Sequence, residues 1–390
     1  MAAPQPQTAA HVWVSGAGPT GSLAALALAK AGCRVTLHDP SSVELLIGRH
    51  RAYAITHSSR SLFSRLQLWE EVLGACQAFH RLELCDQSNS KQVSFAPGHS
   101  IGWVLNHQAL QSILLRHCQA HPLITVHLGS PAGGAEQVDI TVLAEGGNSP
   151  GRSALGIPFR GFRYGQACVS AQMQIQGLND HTAWEVFRPE GPLAVLPMGH
   201  GRAQVVWSAP LKSCLQRCDL PDQSFIAELN KLLPAPLQAA ALLDKPSCFP
   251  VEWRLASRLG RGTTLLCGET AHRCHPVGGQ GLNLCWRDVA SLELLASRLG
   301  TSPSPAACRR LVASYSRSRW LDLFTTLAAT DLLIRLFSNE NPPLRWLRGR
   351  ILALLAGNAQ IQKQLLKLAS QGLTGFGLTK EGQRLNTLLS

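Results

Sequence analysis

Two glycine-rich segments more than 200 residues apart constrain this chain more than any other feature. The first is Gly16-Ala17-Gly18-Pro19-Thr20-Gly21. It follows a short apolar run, His11 to Ser15, and leads into an apolar helix, Ser22 to Ala31, with Gly32 placed to end it. Arg34 to His38 then reads as a second strand, giving a β-α-β opening. Gly16 permits a tight turn, Gly18 lets the backbone approach a pyrophosphate, and Gly21 lets helix and strand pack closely. The helix start, with Pro19 and Thr20 in its first turn, offers unpaired N–H groups and a positive dipole end to phosphates. Asp39 follows about 20 residues on, where a carboxylate accepts ribose hydroxyls and disfavours a 2′-phosphate. Taken alone, the same glycines would also suit an ordinary tight turn in a doubly wound sheet.

The second segment runs Gly268-Glu269-Thr270-Ala271-His272-Arg273-Cys274-His275-Pro276-Val277-Gly278-Gly279-Gln280-Gly281-Leu282-Asn283. A short buried strand, Thr264 to Cys267, delivers Gly268 and Glu269. The loop Pro276 to Gly281 opens a helix expected over Leu282 to Leu299. Backbone N–H groups at such a start stabilise an electron-rich ring. Glu269 stands where a carboxylate reaches a sugar or sugar-alcohol hydroxyl. A third stretch, Ala144-Glu145-Gly146-Gly147-Asn148-Ser149-Pro150-Gly151-Arg152, follows a buried strand, Ile140 to Ala144. It reads equally as a cofactor-side loop or as a plain strand exit.

Between these segments the pattern changes. Arg81 to Phe95 suggests a hairpin, and Gln108 to Gln119 a helix. From Ala171 to Ser208 the alternation Met173/Ile175, Trp184/Val186, Val205/Trp207 indicates a sheet with one buried face. After Pro305 the pattern is almost wholly helical to about Ser370.

Composition limits the partners. A net charge of +12 on only 15% charged residues favours anionic ligands such as dinucleotide phosphates or lipid headgroups. No basic run interleaved with aromatics supports nucleic acid. The opening Met1 to Ala10 lacks the basic and apolar regions of a signal peptide. The twelve cysteines therefore read as free thiols in a reducing compartment. His272, Cys274, His275 and Cys267 have ligand chemistry, but no second cluster completes a zinc pattern, so no metal is expected. Cys214 and Cys218 read as incidental. Pro343 to Gln371 mixes leucines and Trp346 with Arg345, Arg348, Arg350, Lys363 and Lys367. That pattern suits a helix on an anionic membrane, and equally a helix packed on its own protein with a solvated basic face.

The three glycine motifs, in this order and spacing, resemble the single-component flavoprotein aromatic hydroxylases. Within that group the chain is most similar to the ubiquinone-biosynthesis hydroxylase family. Arg51-Ala52-Tyr53-Ala54-Ile55 with Ser58-Ser59-Arg60 carries that likeness. Thr330-Asp331-Leu332-Leu333, Leu336-Phe337-Ser338-Asn339, Pro343-Leu344 and Arg348 extend it. The resemblance implies an α/β fold. It has a Rossmann-like FAD-binding domain of the glutathione-reductase type, an inserted, mostly antiparallel β-sheet substrate domain and a helical C-terminus. The expected boundaries are 10–80, 96–165 and 250–300 for the FAD domain, 81–95 and 166–249 for the substrate domain, and 301–390 for the helical region.

It also implies FAD as cofactor, NADH or NADPH as transient co-substrate, and oxygen. A flavin C4a-hydroperoxide would hydroxylate the ring of a prenylated phenol or quinone precursor. Alternatives are a soluble aromatic or other isoprenoid substrate, or a non-catalytic FAD-binding scaffold. A membrane surface and a quinone-biosynthesis complex are further candidate partners, and the expected location is cytoplasmic with peripheral membrane association.

The implied cofactor contacts are Gly16, Gly18, Pro19, Thr20, Gly21, Asp39, Arg51, Gln108, Glu145, Gly146, Gly268, Glu269, Gly279, Gly281, Leu282 and Asn283. Pro276, Gly279, Gln280 and His272 are the implied catalytic positions. His272 and His275 are candidate proton carriers, the alternative being structural hydrogen-bond partners. Both motif acids depart from the family's usual Asp. The extra methylene of Glu145 and Glu269 moves each carboxylate by about 1.5 Å. The family's Arg near Gln108 is also missing, since the local sequence is Asn106-His107-Gln108.

Overall fold

The computed structural model describes residues 9–130 and 137–372. Its strands are β1 (His11–Ser15), β2 (Arg34–Asp39), β3 (Ala52–Ile55), β4 (Cys76–Phe79), β5 (Arg81–Asp86), β6 (Lys91–Phe95), β7 (Gly102–Asn106), β8 (Ile124–Leu128) and β9 (Ile140–Leu143). There follow β10 (Phe159–Gln176), β11 (Thr182–Phe187), β12 (Leu193–Gly199), β13 (Arg202–Pro210), β14 (Gln238–Leu242), β15 (Ser247–Ala256), β16 (Gly260–Arg261), β17 (Thr264–Leu266) and β18 (His272–Arg273). The principal helices are α1 (Pro19–Lys30), α2 (His107–Ala120), α3 (Gln280–Ala296), α4 (Pro305–Phe337) and α5 (Pro342–Ala356).

The β-α-β opening seeds a six-stranded sheet in the order β16-β17-β9-β1-β2-β8. The pairs β1–β2, β1–β9, β9–β17 and β2–β8 are parallel. A parallel sheet is covered on both faces, which is why Val12, Val14, Val35, Leu37 and Val142 are wholly buried. α1 is buried continuously from Gly21 to Ala29. Its alanines let neighbouring elements approach closely, and α3 packs directly against it.

The second sheet is ordered β18-β15-β10-β13-β12-β11-β5-β6, with β14 also paired to β10. Its strands alternate as the sequence indicates. Val169, Ala171, Met173, Trp184, Val186, Val205 and Trp207 form one buried face under Cys214, Phe225 and Leu229. β5 and β6 are the expected hairpin, and β5 joins the sheet parallel to β11. The sheet extends beyond the expected limits of 166 and 249. Phe159–Arg163 pair with Glu252–Ala256 on the far side of a bulge at 163/167. The sequence there, with Arg160, Gly161, Arg163 and Gly165, does not alternate, so no local signal marked it as strand.

A third, small sheet, β3-β7-β4, has no counterpart in the sequence reading. It packs Ala52, Phe79 and Val104 against Ala183, Leu196 and Met198 of the second sheet.

The C-terminal region from 305 is helical as expected; its part from 373 onward lies outside the described residues. Two side chains tie α4 to the body. Tyr315 donates to the Leu266 carbonyl at 2.9 Å, and Trp253 donates to the Leu327 carbonyl at 3.2 Å. Arg348 of α5 is fully buried. Its Nη1 donates to the carbonyls of Leu336, Phe337 and Asn339, and its Nε lies 3.5 Å from Asp86. A helix leaves its last carbonyls unpaired, and one guanidinium answers several of them here. Arg348→Lys keeps the charge but loses the fork. It should cost about 2 kcal/mol, for two of three bonds lost at roughly 1 kcal/mol each, measured by urea unfolding. An unchanged midpoint would show that the fork is not what seals the α4–α5 corner.

Candidate functional site

The glycine turn between β1 and α1 has three distinct environments. Gly16 has φ +103°, and a Cβ there would lie 2.4 Å from the Ala144 carbonyl oxygen. A Cβ on Gly21 would lie 1.7 Å from the Gly16 carbonyl oxygen. These two are fixed by turn and packing. Gly18 differs, since a Cβ there would meet nothing within 4 Å. Gly18 is also the N-cap of α1 and provides no side-chain cap, so the first-turn N–H groups are left for a ligand. Asp39 straddles the turn, its carboxylate accepting from the N–H of Ala17 and of Ser41, each at 2.8 Å.

The fold brings the second segment against the first. Trp286 of α3 donates to the Pro19 carbonyl at 3.3 Å. A Cβ on Gly268 would touch Thr20 at 2.8 Å. Gly278 and Gly279 are both left-handed, and Gly279 starts α3, again without a side-chain cap. Gly146, Gly278 and Gly281, like Gly18, open onto empty space. Two long helices with uncapped N-termini thus stand side by side, and glycines with room in front of them line the gap. That cradle fits a cofactor with a diphosphate at one end and an electron-accepting ring at the other.

The remaining expected contacts divide by where their side chains point. Arg51 is exposed, immediately before β3. Gln108 sits in the first turn of α2, its N–H held by Asn106 at 2.7 Å. Beside it, Tyr53 and His107 share a 2.8 Å bond, and burial lowers His107 to about 4. The Glu269 carboxylate is 55% exposed and meets Arg273 at 3.4 Å, which leaves it accessible.

Glu145 is turned inward. It accepts from Ser15 Oγ at 2.6 Å, from the Gly151 N–H at 2.9 Å and from Ser149 Oγ. Its longer arm staples the loop to β1, so its carboxylate is committed to the protein. Asn283 is likewise committed. Its Oδ1 accepts from Thr56 and Ser59, and its Nδ2 donates to the carbonyls of Ala54 and Gly279. Any cofactor contact by Glu145 or Asn283 falls to the backbone. Gln280 donates to the Gly278 and Ala369 carbonyls, while Pro276 and Leu282 lie half-buried in the loop and helix start.

His272 does not face the cleft. It is 2% exposed, with Nε2 2.7 Å from Asp288. Asp288 also accepts from the Gly268 N–H at 2.9 Å and from Arg319 at 2.7 Å. Arg319 reaches Asp322, which pairs with Arg287, each at 2.7 Å. This is the geometry of a structural partner, not of a proton donor to a substrate, and it replaces the catalytic expectation for His272. Burial pushes His275 down to about 3, so it stays neutral, and its Nδ1 accepts from the Val277 N–H at 3.1 Å. His272, buried against Asp288, lacks the position of a proton carrier, and His275 stays neutral near neutral pH.

Sequence reasoning missed Glu185 in the middle of β11. It reads there as one polar residue in an alternating strand, with nothing in its neighbours to single it out. It also missed Arg319 and Asp322, whose i, i+3 spacing on one helix was the available signal.

Comparison with known proteins finds likeness over most of the chain. An FAD binding domain family model matches residues 136–321. The 3-demethoxyubiquinol 3-hydroxylase of Escherichia coli is 27% identical, over 92% of this chain and 98% of its own length. The ubiquinone hydroxylase UbiL of Rhodospirillum rubrum is 29% identical, over 86% and 83%. Among solved structures, p-nitrophenol 4-monooxygenase from Pseudomonas putida superposes with a TM-score of 0.72 at 18% identity, covering 93% of this chain and 97% of that one.

Proposed function

We propose, from the premise that this chain is an FAD-dependent monooxygenase, that it hydroxylates the aromatic ring of a prenylated phenol during quinone biosynthesis, using NAD(P)H and oxygen. The observation that carries the reading is the sheet face opposite the Pro276–Gly281 loop. Ala183 and Phe187 of β11 lie on it, Phe187 in one apolar cluster with Val277 of that loop and Phe337, and Ala183 in one with Ala52 and Val104 of β3 and β7. That face would serve as an apolar wall for a flat ring. The names of the relatives in Escherichia coli and Rhodospirillum supply the substrate class.

FAD, when bound, carries electrons from the nicotinamide to oxygen and delivers one oxygen atom to the ring. The first turn of α1 and Gly18 would hold its diphosphate, and Asp39 would accept from a ribose hydroxyl. Glu269 is exposed for a hydroxyl of the linker. The N–H groups at the start of α3 would stabilise negative charge on the ring system. Asp288, held by His272, fixes the Gly268 turn through its N–H. The test is a visible spectrum of the purified protein, then NAD(P)H oxidation with and without a 2-prenylphenol. Flavin bands, substrate-stimulated oxidation and a hydroxylated ring are expected. Bound flavin with no oxygenated product would overturn the reading.

We also place the substrate's membrane against α4 and α5. No described helix is long and apolar enough to cross a bilayer. Yet Leu321, Phe324, Leu332, Trp346, Leu347 and Leu354 are exposed on these two helices, with Arg345 and Arg350 exposed on α5. Apolar side chains among cations suit the surface of an anionic bilayer. Trp346→Asp should lower binding to phosphatidylglycerol-containing vesicles ~10-fold in co-sedimentation, the loss of about 1.5 kcal/mol of burial. Equal sedimentation of both proteins would remove this surface from consideration.

A further inference from the structure

We infer that the Glu185 carboxylate receives the substrate's phenolic hydroxyl and takes its proton as the ring is hydroxylated. This rests on the ring-hydroxylase reading above and names the residue that would hold the ring.

The placement follows from the pleat of β11. Ala183 packs into a cluster with Ala52 and Val104, Phe187 into one that holds Val277 of the glycine loop, and residues two apart on a strand share a face. Glu185 therefore lies on that same face, between the two clusters. Its pairing neighbours across the strands are Leu84 on β5 and Ala194 on β12, both apolar. The polar group that favours its ionised form is the Gly278 backbone N–H. Gly278 belongs to the loop beside which the flavin ring would lie. Among the described residues no cation stands within ion-pair distance of Glu185.

A structural carboxylate in such surroundings is normally paired, because an unpaired one destabilises the fold. Glu185 is 9% exposed, so it is neither sealed nor solvated. A carboxylate offers roughly four acceptor positions, of which the Gly278 N–H can use one. The rest suit the single donor that a phenol brings into an apolar cleft. Burial pushes Glu185 up to about 7, with the Gly278 N–H opposing. A base poised near neutrality is where proton transfer is most effective at physiological pH.

The step is a proton transfer. The phenolic O–H bond breaks, an O–H bond forms on Glu185, and the electron pair stays on the phenolic oxygen. The ring becomes more electron-rich at the carbon that receives oxygen. When that carbon sheds its hydrogen as a proton to water and the ring regains aromaticity, protonated Glu185 returns its proton to the phenolic oxygen. No oxidant beyond that of the hydroxylation itself is required.

The other titratable groups near this face do not titrate in the working range or are already engaged. Cys168, the one thiol on which Glu185 acts, is held neutral up to about 12 by burial. His275, behind the loop, is neutral above about 3. On β5, Asp86 lies near Arg348, and on α4, Asp331 is held by Tyr164 and Arg335. Loss of activity below pH about 7 is therefore assigned to Glu185. It accepts only when ionised, so turnover rises with pH through its folded value.

The experiment compares the full-length FAD-loaded protein with Glu185→Gln and Glu185→Asp. The probe is a 2-prenylphenol carrying two isoprene units, with hydroxylated product counted per bound flavin from pH 5.5 to 9. Wild type should show a rate rising through pH about 7. Glu185→Gln should lose ~100-fold or more in product and lose the pH limb, while still consuming NAD(P)H and releasing hydrogen peroxide. Glu185→Asp should recover part of the rate with its pH limb.

The Gln variant should melt at pH 8 no lower than wild type. A raised carboxyl costs stability as pH climbs from its unfolded value through its folded one, and Gln removes that cost. Unchanged product and pH profile in Glu185→Gln would overturn the inference. A wild type that makes no product at all would instead overturn the ring-hydroxylase reading.

Discussion

Gly21→Ala is expected to unfold the nucleotide-binding half of the protein, while Gly18→Ala, three residues away, leaves the fold intact and removes the flavin. At Gly21 the new methyl carbon would sit 1.7 Å from the Gly16 carbonyl oxygen, a backbone atom of the turn itself. Gly16 cannot retreat, because its own Cα already faces the Ala144 carbonyl. The clash therefore has to open the contact of α1 with β1. A penalty of about 4 kcal/mol or more is expected, at the upper end of single substitutions.

Gly18 has φ −68° and ψ −176°, which any residue adopts, and open space where its Cβ would be. Stability should change by less than about 0.5 kcal/mol. The methyl group fills space that a diphosphate needs, so FAD affinity should fall ~100-fold, about 2.7 kcal/mol. Thermal melts followed by circular dichroism, with flavin absorbance after gel filtration, separate the two effects. Full flavin retention by Gly18→Ala would mean that the diphosphate does not rest on this turn.

Asp288→Ala is expected to destabilise the protein by about 3–5 kcal/mol, the range for stripping one partner from a buried charge pair. The carboxylate is completely buried and accepts from His272, Arg319 and the Gly268 N–H. Burial by itself raises its pKa. The neighbouring His272 and Arg319 outweigh that and hold it below the ordinary carboxylate range. Its contribution is therefore present above the unfolded value near 4 and lost as pH falls through the folded one. The variant should lose the matching part of the acid limb of stability. Because the Gly268 turn hangs on the same carboxylate, flavin affinity should weaken along with stability. Asp288→Asn, which keeps the shape but not the charge, should fall between. Urea unfolding at pH 7 and at about pH 2.5, below the ordinary carboxylate value, decides the matter, and equal losses at both pH values would count against the charge as the cause.

The two glycine segments were legible because their requirements are local. A positive φ at Gly16 or Gly268, or a carbonyl pressed against Gly21, is met by glycine and by little else, so the residue type records the geometry. Alternation in 171–208 is equally local, since the strand pleat reads it directly. The same logic explains a failure: the arginine- and glycine-rich start of β10 does not alternate, and its pairing with β15 escaped notice.

Side-chain direction was not legible. Glu145 and Glu269 carry the same departure in matching motifs, yet one staples its loop and the other stays exposed. Asn283 spends its amide on β3 and the residues that follow it, and His272 turns into a buried ion network anchored on α4. The sequence by itself determined the dinucleotide turn, the sheet classes and the helical end, because backbone conformation is set by neighbours along the chain. Only the tertiary structure decided that Glu185 faces Gly278. That depends on the pleat of one strand meeting a loop more than 90 residues later, and no local pattern carries such information.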